Sequence, residues 1–109
     1  MNKYITKDSG NRTKYKSGMN RDIQDDKPRY DLIDGEILER LALLMARGAK
    51  KYGERNWEQA DSVEELEHFK ASAFRHFMQW MYNKNTEEDH AVAIFFNVMC
   101  YEAILRKLK

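Results

Sequence analysis

Three segments of the chain show the periodicity of amphipathic helices, and short polar stretches separate them. In the first segment, apolar residues recur at the i, i+3 and i+4 spacing of one buried helical face; these residues are Ile37, Leu38, Leu41, Leu44 and Met45. Asp34 is a good N-cap before them, and Gly53 stands where a C-cap would fall. The pattern predicts a first helix from about Gly35 to Lys51.

The second segment opens on Ser62-Val63-Glu64-Glu65, which has the capping-box pattern with Glu65 at the N3 position. The predicted helix continues to about Tyr82, and its apolar face consists of Leu66, Phe69, Ala73, Phe77 and Trp80. Arg75, His76 and Gln79 lie beside that face rather than opposite to it. The second helix therefore offers polar groups at the edge of the core.

The third segment begins with Thr86-Glu87-Glu88-Asp89 and extends to about Leu108, with cations in its last turn as the helix dipole favours. Residues 92–100 are apolar almost all round the helix, apart from Asn97. A helix of this kind is covered on more than one side. Three helices cannot cover it fully, so we expect the chain to form a homo-oligomer.

Residues 1–27 carry no helical periodicity and are rich in polar residues, so we interpret them as a flexible, irregular N-terminal arm. The arm holds seven Lys or Arg and four Asp, so its net charge is +3 and the net charge of residues 28–109 is −2. We expect residues 28–109 to form the folded domain. The predicted fold is all-α, a compact bundle of three main helices with an irregular arm, completed by oligomerisation.

Composition excludes several classes of function. The longest apolar run, residues 91–96, is far too short to span a bilayer, so we expect no membrane partner. A single cysteine, Cys100, cannot form an internal disulfide, and no secretory signal is recognisable, which together favour a cytoplasmic location. The net charge of +1 argues against a general binder of polyanions, so a nucleic-acid partner is not expected.

The stretch from Gly48 to Trp57 concentrates cations and aromatic residues; those with candidate binding roles are Lys50, Lys51, Arg55, Asn56 and Trp57. Cations at a helix C-terminus either offset the helix dipole or bind phosphate. A tryptophan in a loop either covers the core or stacks on a ring. The sequence leaves both pairs of alternatives open.

The third helix presents three polar residues on nearly one face, because His90 and Asn97 are seven residues apart and Asp89 is the neighbour of His90. An amide buried in an apolar run needs partners, since leaving it unpaired costs about 1–3 kcal/mol. A short turn makes the second and third helices antiparallel, which brings His76 towards His90. Both histidines could bind a phosphate or a metal, or could simply be hydrogen-bonded beside the core.

Carboxylates for a hard cation such as Mg²⁺ are available at Asp89 and in the pairs Glu36-x-x-Glu39 and Glu64-x-x-Glu67. Acids in the first turns of helices are also common as caps and as solvated charge. The sequence contains no Walker loop, no zinc-ligand spacing and no Gly-x-Ser-x-Gly elbow. Nucleophilic catalysis by serine or cysteine therefore has no support.

Four motifs together resemble the phage-type dATP/dGTP diphosphohydrolase domain over about Lys27 to Leu105. They are Lys27-Pro28-Arg29-Tyr30-Asp31-Leu32-Ile33; Gly48-Ala49-Lys50-Lys51-Tyr52-Gly53 with Arg55-Asn56-Trp57-Glu58; Arg75-His76-Phe77 with Trp80; and Asp89-His90-Ala91 with Phe96-Asn97. The resemblance implies a small all-helical protein of phages and their hosts. The activity it implies is metal-dependent removal of pyrophosphate from purine deoxynucleotides.

The resemblance also implies roles for individual residues. By position, the family's residues in the Gly48–Glu58 motif correspond to Lys50, Lys51, Asn56 and Trp57. Those in the motif of the second helix correspond to Arg75, His76 and Trp80, and those in the motif of the third helix correspond to Asp89, His90 and Asn97. Relatives in the wider MazG-like group carry Glu-x-x-Glu on one helix and Glu-x-x-Asp on the next. The third helix of this chain has no Glu-x-x-Asp, so the usual cluster of metal-binding carboxylates is incomplete.

Our first hypothesis is hydrolysis of dATP or dGTP to the monophosphate and pyrophosphate, with Mg²⁺ or Mn²⁺ held by Asp89 and either Glu36 or Glu39. Phosphate charge would be neutralised by Lys50, Lys51, Arg55 and Arg75. Trp57 would stack on the base, Asn56 would assist binding, and His76, His90 and Asn97 would complete the catalytic group. This hypothesis requires the Gly48–Trp57 stretch to face Asp89, His90 and Asn97.

The alternative hypothesis is a helical module without catalytic activity that binds a nucleotide, a nucleic acid or a host protein. It would use the same basic and aromatic groups. The missing Glu-x-x-Asp favours it.

Overall fold

The computed structural model describes residues 12–14, 16–22 and 26–109. The described residues up to Ile33 belong to one compact unit, and Asp34–Lys109 form the other. The predicted arm of residues 1–27 lies partly outside the described residues. Each unit is considered by itself.

The first unit contains a small β-hairpin that the sequence did not predict. Strand β1 (Arg12–Lys14) pairs antiparallel with strand β2 (Asn20–Asp22), so that Arg12 lies opposite Asp22 and Lys14 opposite Asn20. The connection includes Gly18, whose φ of 93° is a conformation that favours glycine. The hairpin gives regular structure to part of a segment that was predicted to be an irregular arm. Strands of only three residues leave too little alternation to be recognised.

The second unit is the predicted bundle of three helices, α1 (Gly35–Tyr52), α2 (Val63–Met81) and α3 (His90–Leu108). A short 3-10 helix, Asn56–Gln59, lies between α1 and α2. The all-α fold class is confirmed. The helices begin and end close to the predicted residues, and the caps at the starts of α1 and α2 were readable from the sequence.

The predicted caps of α1 and α2 are present as hydrogen bonds. The Asp34 carboxylate accepts from the Ile37 N–H at 3.0 Å. Ser62 Oγ accepts from the Glu65 N–H at 3.2 Å, and the Glu65 carboxylate accepts from the Ser62 hydroxyl at 2.7 Å and from the Asp61 N–H at 3.0 Å. These reciprocal hydrogen bonds define a capping box. The one difference is that Glu65 accepts from the backbone N–H of Asp61 instead of that of the N-cap residue Ser62.

The core lies mainly between α2 and α3. Ala60, Leu66 and Ile104 form a buried cluster, and the partly buried side chains that pack against it are Trp57, Phe69, Tyr101 and Leu105. Val92 and Cys100 on α3 are fully buried, whereas α1, which is described throughout its length, contributes no buried side chain. Burial raises the pKa of the Cys100 thiol to about 12, which fits a structural rather than a reactive cysteine.

Contacts at the two ends of the bundle show in which direction each helix runs. Arg40, near the start of α1, pairs with Asp89 at the start of α3. At the other end, Lys107 Nζ donates to the carbonyls of Glu58 and Ala60, at 2.8 and 2.9 Å. We call the end of the bundle with the Arg40–Asp89 pair the histidine end, which is defined by His76, Asp89 and His90. We call the opposite end the tryptophan end, which is defined by Trp57, Leu66 and Ile104. It follows that α1 runs parallel to α3, while α2 runs antiparallel to both.

The surface of α2 that faces away from the core carries an apolar stripe. Phe74, Phe77, Met78 and Met81 are exposed by 65%, 42%, 37% and 54%, and their i, i+3, i+4, i+7 spacing puts them on one face. Such a stripe is consistent with the predicted homo-oligomer, which stays a prediction. None of the helices in the described part of the chain is both long enough and apolar enough to cross a membrane.

Candidate functional site

A cleft of about 380 Å³ opens at the histidine end of the bundle. The end of α2, the following turn, the start of α3 and one residue of α1 form its walls. Its lining residues are Arg40, Gln79, Trp80, Asn83, Thr86, Glu87, Glu88, Asp89, His90 and Ala91. Side chains from the three helices and from the turn between α2 and α3 therefore form one concave surface.

A bidentate ion pair between Arg40 and Asp89 crosses this cleft from α1 to α3. Arg40 Nε donates to one carboxylate oxygen of Asp89 at 2.8 Å, and Arg40 Nη2 donates to the other at 2.7 Å. The hydrogen bonds from Arg40 hold the pKa of Asp89 below its usual range, so this carboxylate is charged at neutral pH. Both side chains remain partly exposed, at 40% and 33%.

The sequence interpretation missed Arg40. A signal was present, because Arg40 lies three residues after Ile37 and four before Leu44, within the apolar stripe of α1. A cation at such a position is drawn towards the interior of the bundle, where it needs an acidic partner. The sequence did not identify that partner, which stands 49 residues away.

His76 and His90 form a hydrogen-bonded pair between α2 and α3, as the antiparallel arrangement predicted. Their Nδ1 atoms are 2.9 Å apart, and both residues are buried. His90 Nε2 lies 2.8 Å from the Lys84 carbonyl and 2.9 Å from the Asn85 carbonyl. Carbonyls only accept, so His90 Nε2 must carry a hydrogen. In neutral His90, Nδ1 is then the acceptor, and His76 must donate through its own Nδ1.

This arrangement assigns every ring nitrogen of the pair a partner. The remaining nitrogen of His76, Nε2, is an acceptor 3.4 Å from Arg75 Nη2, which can only donate. The chain of donors thus runs from Arg75 through His76 and His90 to the carbonyls of the turn after α2. The two histidines fix the wall of the cleft, and their predicted catalytic roles stay predictions.

The histidine pair should make stability depend on pH. Burial, the Arg75 cation and His90 lower the pKa of His76 from its ordinary 6.5, against a weaker opposing effect of Glu88. Below pH 6.5 the unfolded chain therefore binds more protons than the folded one, and the free energy of unfolding decreases as pH falls. Urea denaturation at several values between about pH 7.5 and about pH 5 should show this decrease, above the range in which carboxylates titrate.

A matched pair of variants identifies the group responsible for the pH effect. His76→Gln should flatten the dependence in this window, whereas His68→Gln, at an exposed position of α2, should leave it unchanged. An unchanged slope in His76→Gln would assign the effect to another group.

Asn97, predicted to belong to the catalytic group, is buried in α3 and satisfied within its own helix. Its Nδ2 donates to the Ala93 carbonyl at 2.8 Å, four residues earlier. The expectation that this amide has a partner is confirmed. The partner is a backbone carbonyl rather than a group of the cleft.

The predicted substrate-binding residues of the Gly48–Trp57 stretch do not lie at the histidine end. Lys50 and Lys51 come ten and eleven residues after Arg40, about 15 Å further along α1. Trp57 packs against the buried cluster at the tryptophan end, and Arg55 pairs with Glu58. Within one chain, α1 therefore carries this stretch away from Asp89 and His90 and towards the tryptophan end, and its predicted role in binding stays a prediction.

The predicted metal ligands are Glu36, Glu39 and Asp89. Among the described residues, no group of three or more His, Cys, Asp or Glu side chains is placed to hold a metal ion. Each oxygen of Asp89 accepts a hydrogen bond from Arg40, and Glu36 acts on the same guanidinium. The donor set of one chain therefore does not fit a resident divalent ion, because an arginine already supplies the positive charge.

These features define a small all-α protein with a polar cleft built at one end of a three-helix bundle. Residues 17–108 match the family model described as dATP/dGTP diphosphohydrolase, N-terminal. The chain belongs to this family, as its motifs predicted. A search of curated proteins and a search of solved structures each found no match.

Proposed function

We propose that this chain binds dATP or dGTP and hydrolyses it to the monophosphate and pyrophosphate. The observation that carries the proposal is the meeting of two separate family motifs at one cleft. His76 and Trp80 come from α2, Asp89 and His90 come from α3, and all four converge at the histidine end. The description of the family supports dATP and dGTP as the class of substrate.

In this reaction, water attacks the α-phosphorus, the bond to the oxygen that bridges the α- and β-phosphates breaks, and pyrophosphate leaves. Asp89 is the candidate to orient the water. A carboxylate has about four acceptor positions, and Arg40 uses one on each oxygen, so others remain for a water molecule. His76 and His90 act as positioning residues, because each of their ring nitrogens already faces a partner.

The proposal retains Mg²⁺ or Mn²⁺ as a requirement to be tested, without assigning ligands in this chain. Magnesium in nucleotide sites is commonly held by one or two carboxylates together with the phosphates of the substrate. A divalent ion that arrives with the nucleotide would need fewer protein ligands than a resident ion. The assay below therefore varies the ion and the nucleotide independently.

The test is pyrophosphate release from each of the four deoxynucleoside triphosphates, with Mg²⁺ or with Mn²⁺. We expect turnover of dATP, dGTP or both, and a decrease of about 100-fold or more in Asp89→Ala. Glu102→Ala, an exposed carboxylate further along α3, should keep the parental rate. No release from any nucleotide with either ion, or full activity in Asp89→Ala, would refute the proposal.

A second candidate function is nucleotide binding without hydrolysis. Arg40 neutralises the carboxylate of Asp89, and the two histidines are hydrogen-bonded to each other. This arrangement suits a stable binding surface. Thermal denaturation distinguishes the two functions. Stabilisation by dGTP that requires a divalent ion supports the enzyme, and stabilisation that is indifferent to the ion, without pyrophosphate release, supports the binding module.

A further inference from the structure

The charge of the cleft decides which part of a nucleotide fits it. Among the described residues that line the cleft, Arg40 is the one cation, and Glu87, Glu88 and Asp89 are acids. Since Arg40 is already paired with Asp89, the cleft presents a surplus of negative charge. A triphosphate, which carries several negative charges of its own, is repelled there, whereas a neutral base is not.

The ring that is available for stacking in this cleft is Trp80, not Trp57. Trp57 is partly buried against Leu66 and Ile104 at the other end of the bundle. Trp80 lines the cleft and is 50% exposed. Phe77 lies beside it, with ring centroids 6.1 Å apart and planes at 43°, which helps to hold the indole in place.

The polar side chains of the cleft suit a purine edge. Arginine binds guanine through O6 and N7, and asparagine or glutamine binds adenine through N6 and N7. Arg40, Gln79 and Asn83 all line the cleft. Of the five N–H groups of Arg40, two point at Asp89, which leaves three outside that pair. On this edge of the ring, N7 is the acceptor that both purines share, and pyrimidines lack it.

We propose that the cleft at the histidine end takes the purine base, stacked on Trp80 with its N7 edge on the amide and guanidinium donors, while the β- and γ-phosphates point out of the cleft. This inference rests on the proposed nucleotide substrate and names the part of it that is recognised here. It replaces the predicted stacking role of Trp57. It also explains how one site can accept both purines.

The two tryptophans provide an internal comparison for the test, because one lies in the cleft and the other in the core. Their indole N–H signals in the ¹⁵N-labelled full chain can be followed by NMR, with Trp80→Phe used for assignment. We expect 2′-deoxyguanosine and 2′-deoxyadenosine to shift the Trp80 signal and to leave the Trp57 signal in place. Thymidine and inorganic triphosphate should shift neither.

Variants and modified bases make the test quantitative. Trp80→Ala should weaken deoxynucleoside binding about tenfold, since stacking of one base on an aromatic side chain has that order of effect. Tyr82→Ala removes an exposed ring that does not line the cleft and should change nothing. The 7-deaza analogues, which lack N7, should bind more weakly than the parent nucleosides. An unchanged Trp57 signal in Trp80→Ala would show that the fold is intact.

The outcomes separate this inference from the proposed function. A Trp80 signal that responds to inorganic triphosphate but not to purine nucleosides would overturn the inference, and so would full affinity in Trp80→Ala, even if pyrophosphate release were observed. Purine-specific shifts at Trp80 without any pyrophosphate release would support the inference and refute hydrolysis.

Discussion

Replacing Ile104 by alanine is expected to lower the free energy of unfolding by about 2–5 kcal/mol. Ile104 is 2% exposed and lies in the buried cluster with Ala60 and Leu66, where α3 meets the loop before α2. The smaller side chain removes apolar contacts and leaves a cavity that the surrounding helices cannot fully close. For a domain of this size, that is a large part of the total stability.

Denaturant unfolding followed by circular dichroism measures the effect. Ile104→Val should cost only about 0.5–1.5 kcal/mol, because it removes a single methylene. Val98→Ala on the same helix, where Val98 is 48% exposed, serves as the control and should cost less than either. Equal losses at positions 98 and 104 would contradict the burial described for α3.

Replacing His90 by alanine is the second change for which we expect a large effect. The ring bridges His76 to the carbonyls of Lys84 and Asn85, so its removal leaves a buried donor on His76 without its partner. A buried group left unpaired costs about 1–3 kcal/mol, and the lost volume adds to this. The turn between α2 and α3 loses a support at the same time.

A double-mutant cycle identifies the pair as the source of this effect. His76→Ala and His90→Ala should each destabilise the chain, and the double variant should lose less than the sum of the two, because each single change already breaks the shared hydrogen bond. His68→Ala, at an exposed position of α2, is the matched control and should have little effect. Strict additivity would show that the two histidines act independently.

Local rules explain why the helices could be predicted. Asp34 and the Ser62–Glu65 capping box mark helix starts. Along α2 the apolar spacing marks the buried side at Leu66 and Phe69, whereas Phe77 and Trp80, predicted on the same face, are exposed by 42% and 50%. The approach of His76 and His90 followed from one further fact, the short turn that makes α2 and α3 antiparallel. These features depend on residues close together in sequence.

The composition of the site depended on contacts between residues that are distant in sequence. The pairing of Arg40 with Asp89 sets the direction of α1, and periodicity within α1 contains no information about that partner. Without that direction, the sequence does not show at which end of the bundle the Gly48–Trp57 stretch lies. The interpretation of Trp57 left two alternatives open, and its packing near Leu66 and Ile104 selects the core.

The absence of buried side chains throughout the described α1 has a consequence for motion. The fully buried apolar helix residues lie on α2 and α3, whereas α1 adds a helix whose cross-bundle ion pair joins two partly exposed side chains. Proteins open in cooperative units, and the unit with the least buried surface opens at the lowest free energy. We therefore expect α1 to detach and return while the α2–α3 hairpin stays folded, and each such opening would remove one wall of the cleft.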